Sequence, residues 1–252
     1  MRQFFSLLLG CALLAGCGQS VAPSAAKAGA ETPVGVRAAV EPEALDRGPL
    51  LLVHGHNGSE KDWAYWKPIL EKEGWQPKAI SLATDDWHAE ALADQVGMHV
   101  EALRRATGRQ KIDVLAHSLG GLATRHYIKF GNGDQRIRRL VTLGTPHHGI
   151  GYALGGRWIT VAKLLSPHSP FLNNLNRPSE THGDVLYSCV WSTKDYTQIL
   201  PFASGRLKGA FNYRINGTSH SGMLQDPRLL PAIKEGLTRL PGLAPGDEIR
   251  ID

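Results

Sequence analysis

From Pro49 onward, short apolar runs alternate with longer stretches of helical spacing, and this rhythm narrows the fold more than any other feature of the chain. Strand-length apolar runs separated by helices specify strand-helix units, because parallel strands need crossovers that lie on the faces of their sheet. Leu50 to His54 reads as a buried strand, followed by Ala79 to Leu82, Ile112 to Ala116, Leu140 to Leu143, Val185 to Trp191 and Phe211 to Ile215. Ala89 to Ala106 and Gly120 to Phe130 read as helices. Asp226 to Leu240 closes as another, with Pro227 in its first turn and Pro231 able to delay its regular start. Gly149 to Asp184 carries no strand pattern, but Trp158 to Leu165 has helical spacing and predicts a cap or rim over a site. The expected class is α/β, a mostly parallel central sheet with helices on both faces and a small cap or rim segment.

A chain of 252 residues, 42% hydrophobic and 20% charged, can bury one large core, and its 28 Gly and 15 Pro fit neither a collagen nor a disordered polymer. The net charge is +5, yet the densest basic groups, Arg104, Arg105, Arg109 and Lys111, then Arg136, Arg138 and Arg139, are short and lack interleaved aromatics. A nucleic-acid surface is therefore not expected. Nothing in the pattern calls for an obligate protein partner or for a cofactor.

Residues 1–16 have the form of an export signal. Arg2 supplies the positive end, Phe4 to Leu14 is almost wholly apolar, and small residues follow. That stretch falls short of the roughly 20 residues a helix needs to cross a bilayer. Leu14-Ala15-Gly16-Cys17 resembles the lipobox of bacterial lipoproteins, which implies cleavage before Cys17 and diacylglycerol on its sulfur. Residues 17–47, rich in Ala, Pro, Ser, Gly and Glu, then read as a flexible tether, and residues 48–252 as the folded domain. The expectation is export to a bacterial cell envelope on a lipid anchor, or free secretion if Cys17 stays unmodified. Cys11 would leave with the leader and Cys17 would be acylated. Cys189 is then left without a partner, and its place in an apolar run predicts a buried small hydrophobe.

The chemistry concentrates where the third predicted strand runs into Ala116-His117-Ser118-Leu119-Gly120-Gly121 and a helical pattern begins at once. A small-x-Ser-x-Gly sequence between strand and helix is a nucleophile elbow: the sharp turn lifts the serine above the sheet edge, and small flanking residues are expected to prevent collision across it. Serine is a poor nucleophile without a base and an acid to orient that base. In the α/β-hydrolase order both lie downstream. Asp195 follows the fifth strand directly, whereas Asp184 precedes it, Asp134 sits in a Gly-rich turn and Asp226 comes late. Of 11 histidines, His220 alone follows both Asp195 and the sixth strand. The assignment is Ser118 as nucleophile, Asp195 as acid and His220 as base. Leu119 and His56 are expected to supply the backbone N–H donors for an oxyanion, with His54 bonding nearby backbone and Gly55 permitting an unusual dihedral pair. His147 and His148 are adjacent in sequence, a poor geometry for one ion, so no metal site is assigned.

Leu52-Val53-His54-Gly55, the Ala-His-Ser-Leu-Gly-Gly elbow, Leu143-Gly144-Thr145-Pro146-His147-His148-Gly149, Ser169-Pro170-Phe171-Leu172, the Asp195 loop and His220-Ser221-Gly222-Met223-Leu224 together resemble bacterial triacylglycerol lipases of the α/β-hydrolase superfamily. The elbow, with Ala before His-Ser, is similar to that of small Bacillus lipases. The resemblance covers about residues 49 to 240 and implies carboxylic-ester hydrolysis through an acyl-enzyme, with a lipid or other acyl ester as substrate and no cofactor. Ile150, Tyr152, Leu154, Trp158, Ile159, Leu164, Leu165, Phe171 and Leu172 are candidates to line an acyl pocket or to pack the cap. Acyl transfer, or thioester or amide cleavage by the same triad, is the neighbouring chemistry. A non-catalytic lipid-binding envelope lipoprotein is the alternative of another class.

Overall fold

The structure is a computed structural model that describes residues 47–83, 88–150, 159–198, 204–242, 244–246 and 248–251. The leader over residues 1–16, Cys17 and all of the tether but Arg47 lie outside the described residues, as do Tyr152, Leu154 and Trp158.

Among the described residues, seven parallel strands form one sheet in the order β2-β1-β3-β4-β5-β6-β7, where β1 is Pro49–Val53, β2 Gln76–Ile80, β3 Ile112–His117, β4 Ile137–Leu143, β5 Leu186–Ser192, β6 Phe211–Ile215 and β7 Ile249–Ile251. The order runs outward in both directions from the first strand, so the sheet is doubly wound and its strands end along one edge. β1, β3 and β5 are nearly continuous apolar runs because helices cover both faces. Alternate residues serve opposite cores: Leu51 and Val53 pack with Val96, Val100, Leu122 and Ile128, while Leu50 and Leu52 pack with Trp63, Trp66, Leu70 and Ile233.

The helices follow from the same two cores. α1 (Trp66–Lys72) buries Trp66 and Leu70, α2 (Ala89–Thr107) buries Leu92, Val96 and Val100, and α3 (Leu119–Phe130) is buried over much of its length. α4 (Ile159–Leu164) and α5 (Pro170–Asn176) belong to the segment between β4 and β5, which contains no strand among the described residues. α5 starts as its sequence dictates: Ser169 Oγ accepts the Leu172 N–H at 3.2 Å, and Pro170 occupies the first turn. α6 (Leu230–Thr238) follows a 3₁₀ turn over Pro227–Leu229. Among the described residues no helix is long and apolar enough to cross a membrane.

Several boundaries differ from the expectation. β2 runs Gln76–Ile80 rather than Ala79 to Leu82, because an edge strand can show Gln76 and Lys78 to solvent and so lacks an apolar run. Leu82 is buried beyond the strand, its N–H given to His54 Nε2 at 2.7 Å. β4 begins at Ile137, not Leu140, and brings Arg138 and Arg139 into the sheet beside the carboxylate of Asp113. The regular part of α6 begins at Leu230 rather than Asp226, whose side chain instead caps the preceding 3₁₀ turn. Cys189 is free and fully buried, and burial pushes its thiol up to about 12.

Candidate active site

The turn from β3 into α3 holds Ser118 at φ 53°, ψ −125°, a backbone conformation costly for a residue with a Cβ. Two partners over-determine it. The Ser118 N–H donates to Leu143 O at 2.9 Å, and the Ser118 carbonyl accepts from Thr145 Oγ1 at 2.8 Å, so the end of β4 and the loop after it clamp the elbow on both sides of Ser118. Gly120 is required for space as the sequence suggested, though against a neighbouring segment rather than across the turn, and Gly121 is required as well. A Cβ on Gly120 would lie 2.3 Å from His54 O, and one on Gly121 would lie 2.1 Å from Thr145 Oγ1. The pressure comes from the end of β1 and from the loops that leave β1 and β4.

His220 stands in the loop between β6 and the final helix. Its Nε2 lies 2.8 Å from Ser118 Oγ and its Nδ1 2.8 Å from Asp195 Oδ2. The carboxylate can only accept, so Nδ1 carries the hydrogen and Nε2 presents its lone pair to the serine hydroxyl. The structure thus joins the three residues selected from the sequence, although 102 positions separate Ser118 from His220. Asp184 is exposed in the turn before β5, at the opposite edge of the sheet, and does not compete.

Asp195 is fully buried, and neutral donors surround it. Oδ1 accepts the Thr197 N–H at 3.2 Å and the Thr197 hydroxyl, while Gln198 Nε2 donates to Oδ2 at 3.2 Å and to Gly144 O at 2.9 Å. Sequence reasoning missed Thr197 and Gln198; their signal was proximity to Asp195 in a loop obliged to satisfy a buried carboxylate. It also gave Gly144 no separate role. Gly144 has φ 59°, and a Cβ there would lie 3.1 Å from Asp195 Oδ2 and 3.2 Å from His220 Nδ1, so the bare backbone lets acid and base meet.

His117, beside the nucleophile, was likewise assigned no role. Its Nε2–H donates to the His220 carbonyl at 3.0 Å, and the two rings lie 4.7 Å apart at 46°. Burial, followed by the neighbouring His220, pushes His117 down to about 3, so it is a neutral donor that ties the elbow to the histidine loop.

Leu119 and His56 both line the cavity at Ser118. Leu119 opens α3, where the first N–H groups have no acceptor within the helix and the dipole is positive. His54 is fully buried; its Nδ1–H donates to Gly55 O at 2.7 Å while Nε2 accepts from Leu82, which fixes the loop after β1. Gly55 was expected to relax a dihedral but does not occupy the left-handed region. It is needed for space, since a Cβ would lie 2.8 Å from Ser118 Cβ. The cavity, about 370 Å³, takes carbon from Pro146, Ile150, Val161 and Leu165.

His147 and His148 serve the walls. His147 is fully buried, its Nδ1 accepting from Arg125 at 3.4 Å and its Nε2–H reaching Thr142 Oγ1 at 3.1 Å; burial holds it well below the usual imidazole range. Arg125 also reaches Asn176 Oδ1 at 2.8 Å and Glu180 O at 2.7 Å, and so binds the end of α5 to the loop bearing Pro146. His148 Nε2 meets Glu180 Oε1 at 3.1 Å. Among the described residues, no group of three or more His, Cys, Asp and Glu side chains could hold a metal ion.

Residues 49–194 match the family model of palmitoyl protein thioesterases. The chain belongs to that family. The chain is also similar to curated triacylglycerol lipases: one from Burkholderia plantarii is 31% identical over 145 residues, covering 53% of this chain and 39% of the lipase. Another from Pseudarthrobacter phenanthrenivorans is 30% identical over 118 residues, 44% of this chain and 36% of the lipase. The chain therefore spans well under half the length of these two relatives. A triacylglycerol lipase from Pseudomonas fragi is 26% identical over 211 residues, 74% of this chain and 70% of that protein. Among solved structures, the mature form of a Bacillus licheniformis lipase superposes with a TM-score of 0.63 at 20% identity, covering 76% of this chain and 92% of that one. Aspergillus fumigatus lipase B gives 0.65 at 16% identity, with 80% and 54% covered. These likenesses show the α/β-hydrolase fold.

Proposed function

We propose that this chain hydrolyses carboxylic esters as a lipase or esterase, through an acyl-enzyme on Ser118. The observation that carries the reading is the unbroken relay from Asp195 through His220 to Ser118, with both links at 2.8 Å, opening onto a cavity walled partly by carbon. His220 Nε2 takes the proton as Ser118 Oγ attacks the ester carbonyl, and Asp195 stabilises the imidazolium that forms. The N–H groups of Leu119 and His56 are assigned to the oxyanion, the first held by the elbow and the second by the loop that His54 fixes. His220 then protonates the departing alcohol oxygen. A water enters, gives its proton to the same nitrogen, and attacks the acyl carbonyl to release the acid and restore Ser118. The curated relatives, named as triacylglycerol lipases, support the ester as substrate.

Thioester cleavage is the second reading, favoured by the name of the family whose model matches residues 49–194. Both substrates converge on one acyl-enzyme and differ only in the leaving group. The test is turnover of p-nitrophenyl esters over a chain-length series, of emulsified triglyceride and of a palmitoyl thioester, each with wild type and Ser118→Ala. The reading expects ester turnover that Ser118→Ala removes; turnover confined to the thioester replaces it with the second.

For the segment preceding the domain we propose export and lipid anchoring at Cys17, on the strength of the lipobox-like Leu14-Ala15-Gly16-Cys17. Two acyl chains would supply stable attachment, and about 30 residues, if they behave as a flexible chain, would span about 30 Å. Wild-type protein should then fractionate with membranes and carry the diacylglyceryl mass, whereas Cys17→Ser should lose it. Recovery of wild type with an unmodified amino terminus cut elsewhere overturns the proposal.

A further inference from the structure

The cavity beside Ser118 has two unlike parts. Pro146, Ile150, Val161 and Leu165 bring carbon from the cap and the loop at its base, whereas the loop after β1 and the 3₁₀ turn that follows bring His56, Asn57 and Asp62. Asp62 is the one carboxylate among the described residues that line the cavity. Its placement is built in. Ser59 caps the turn Glu60–Trp63, its Oγ accepting the Lys61 N–H at 3.3 Å, and the Asp62 N–H donates to Ser59 O at 3.1 Å. The next residue, Trp63, is fully buried, and Trp66 Nε1 donates to Met223 O at 3.1 Å, which anchors the segment to the far side of the site. Gly58 makes the room: a Cβ there would lie 2.3 Å from Asp62 Oδ2 and 2.9 Å from His54 Nδ1. Among the described residues the Asp62 oxygens enter no hydrogen bond or ion pair. The turn thus sets a half-buried carboxylate at the wall of the reaction cavity, where it acts on the charge of whatever enters.

We infer that Asp62 selects the alcohol half of the substrate. This rests on the ester-hydrolysis reading and deepens it. The acyl chain goes to the carbon of Pro146, Ile150, Val161 and Leu165, which leaves the alcohol beside the polar loop. There a carboxylate attracts a cationic or hydroxyl-bearing alcohol and repels one that carries a phosphate, sulfonate or carboxylate. The substrate class is thus acyl esters of non-anionic alcohols, with partial glycerides favoured over esters whose leaving group is itself an anion.

The test uses four hexanoate esters, of n-butanol, glycerol, choline and 3-hydroxypropanesulfonate, with wild type and Asp62→Asn, each preparation normalised by fluorophosphonate labelling of Ser118. The readout is the ratio of kcat/KM for the choline ester to that for the sulfonate ester, which cancels any general loss of activity. Wild type should favour choline by at least about tenfold, the scale of one unit charge acting across several ångströms of partly solvated cavity. Asp62→Asn should bring the ratio close to unity, and the glycerol ester should lose ground to the butyl ester. A ratio unchanged in Asp62→Asn overturns the inference. So does a uniform fall across all four esters, which would place the effect of Asp62 on His220 instead. Failure of wild type to turn over any of the four, or the p-nitrophenyl esters and triglyceride, with Ser118 still labelled, overturns the ester-hydrolysis reading itself.

Discussion

Two aspartates, Asp113 and Asp195, are both fully buried, and they stand at opposite edges of the same parallel sheet. Asp113, near the start of β3, accepts from Arg138 at 3.0 and 2.7 Å and from Arg139 at 3.4 and 3.2 Å. Asp195, beyond the end of β5, accepts from Thr197, from Gln198 and from one ring that can gain and lose a proton. Burial alone therefore does not mark chemistry. A guanidinium holds its charge at any working pH, so the Asp113 cluster is locked and structural. The negative charge of Asp195 is answered by neutral donors and by His220, and it stays available to stabilise an imidazolium when the serine gives up its proton.

Exchanging each carboxylate for an amide breaks this comparison apart most sharply. Asp195→Asn should lower kcat on the order of 10⁴-fold, because the amide favours the wrong tautomer of His220, while the unfolding midpoint moves little by comparison. Unchanged turnover would mean that another group orients the base. Asp113→Asn should do the reverse, since it leaves buried Arg139 without its counter-charge. A loss of about 3 to 5 kcal/mol in urea unfolding is expected, with activity per fluorophosphonate-labelled site preserved. A stable Asp113→Asn protein with depressed turnover would reverse the roles assigned here.

Acid should separate the two regions next. His117 and His147 are both held neutral by burial, with pKa values below those of the unfolded chain. Below about pH 6.5 the unfolded state therefore binds protons that the native state refuses, and stability falls as pH falls. For His117 the loss continues toward pH 3, at up to about 1.4 kcal/mol per pH unit. Urea unfolding at pH 7, 5 and 4 should show this decline, and His117→Gln should flatten it; an equal slope in that variant would contradict the buried neutral state. The smallest effect concerns the His117 bond to the His220 carbonyl. His117→Phe should cost about tenfold in kcat, the worth of one well-formed hydrogen bond, and His117→Gln, which restores an N–H at that reach, should recover most of it.

The catalytic edge was more legible in the sequence than the frame that holds it. Ser118 announced itself because strand, turn and helix are local, and the order of strands then left few candidates for Asp195 and His220. Partners assembled across the sheet gave no such signal. Gly144 faces His220 from a different strand end, and Gly55 is small because Ser118 Cβ arrives from another strand. The edges were hard to read for a related reason: β2 alternates exposed and buried residues, and β7, a three-residue strand at the other margin, has no apolar run at all. α1 was overlooked because its Trp66 and Leu70 stripe spans only two turns.

The central claim is that Ser118 carries the acyl group. Mixing the protein with excess p-nitrophenyl ester, quenching in acid within the first turnovers and mapping peptides by mass tests it directly. A burst of p-nitrophenol matching the active sites and an acyl mass on the peptide containing Ser118 are expected, with both absent in Ser118→Ala. Turnover that persists in Ser118→Ala, or an acyl group found on another residue in its place, would contradict it.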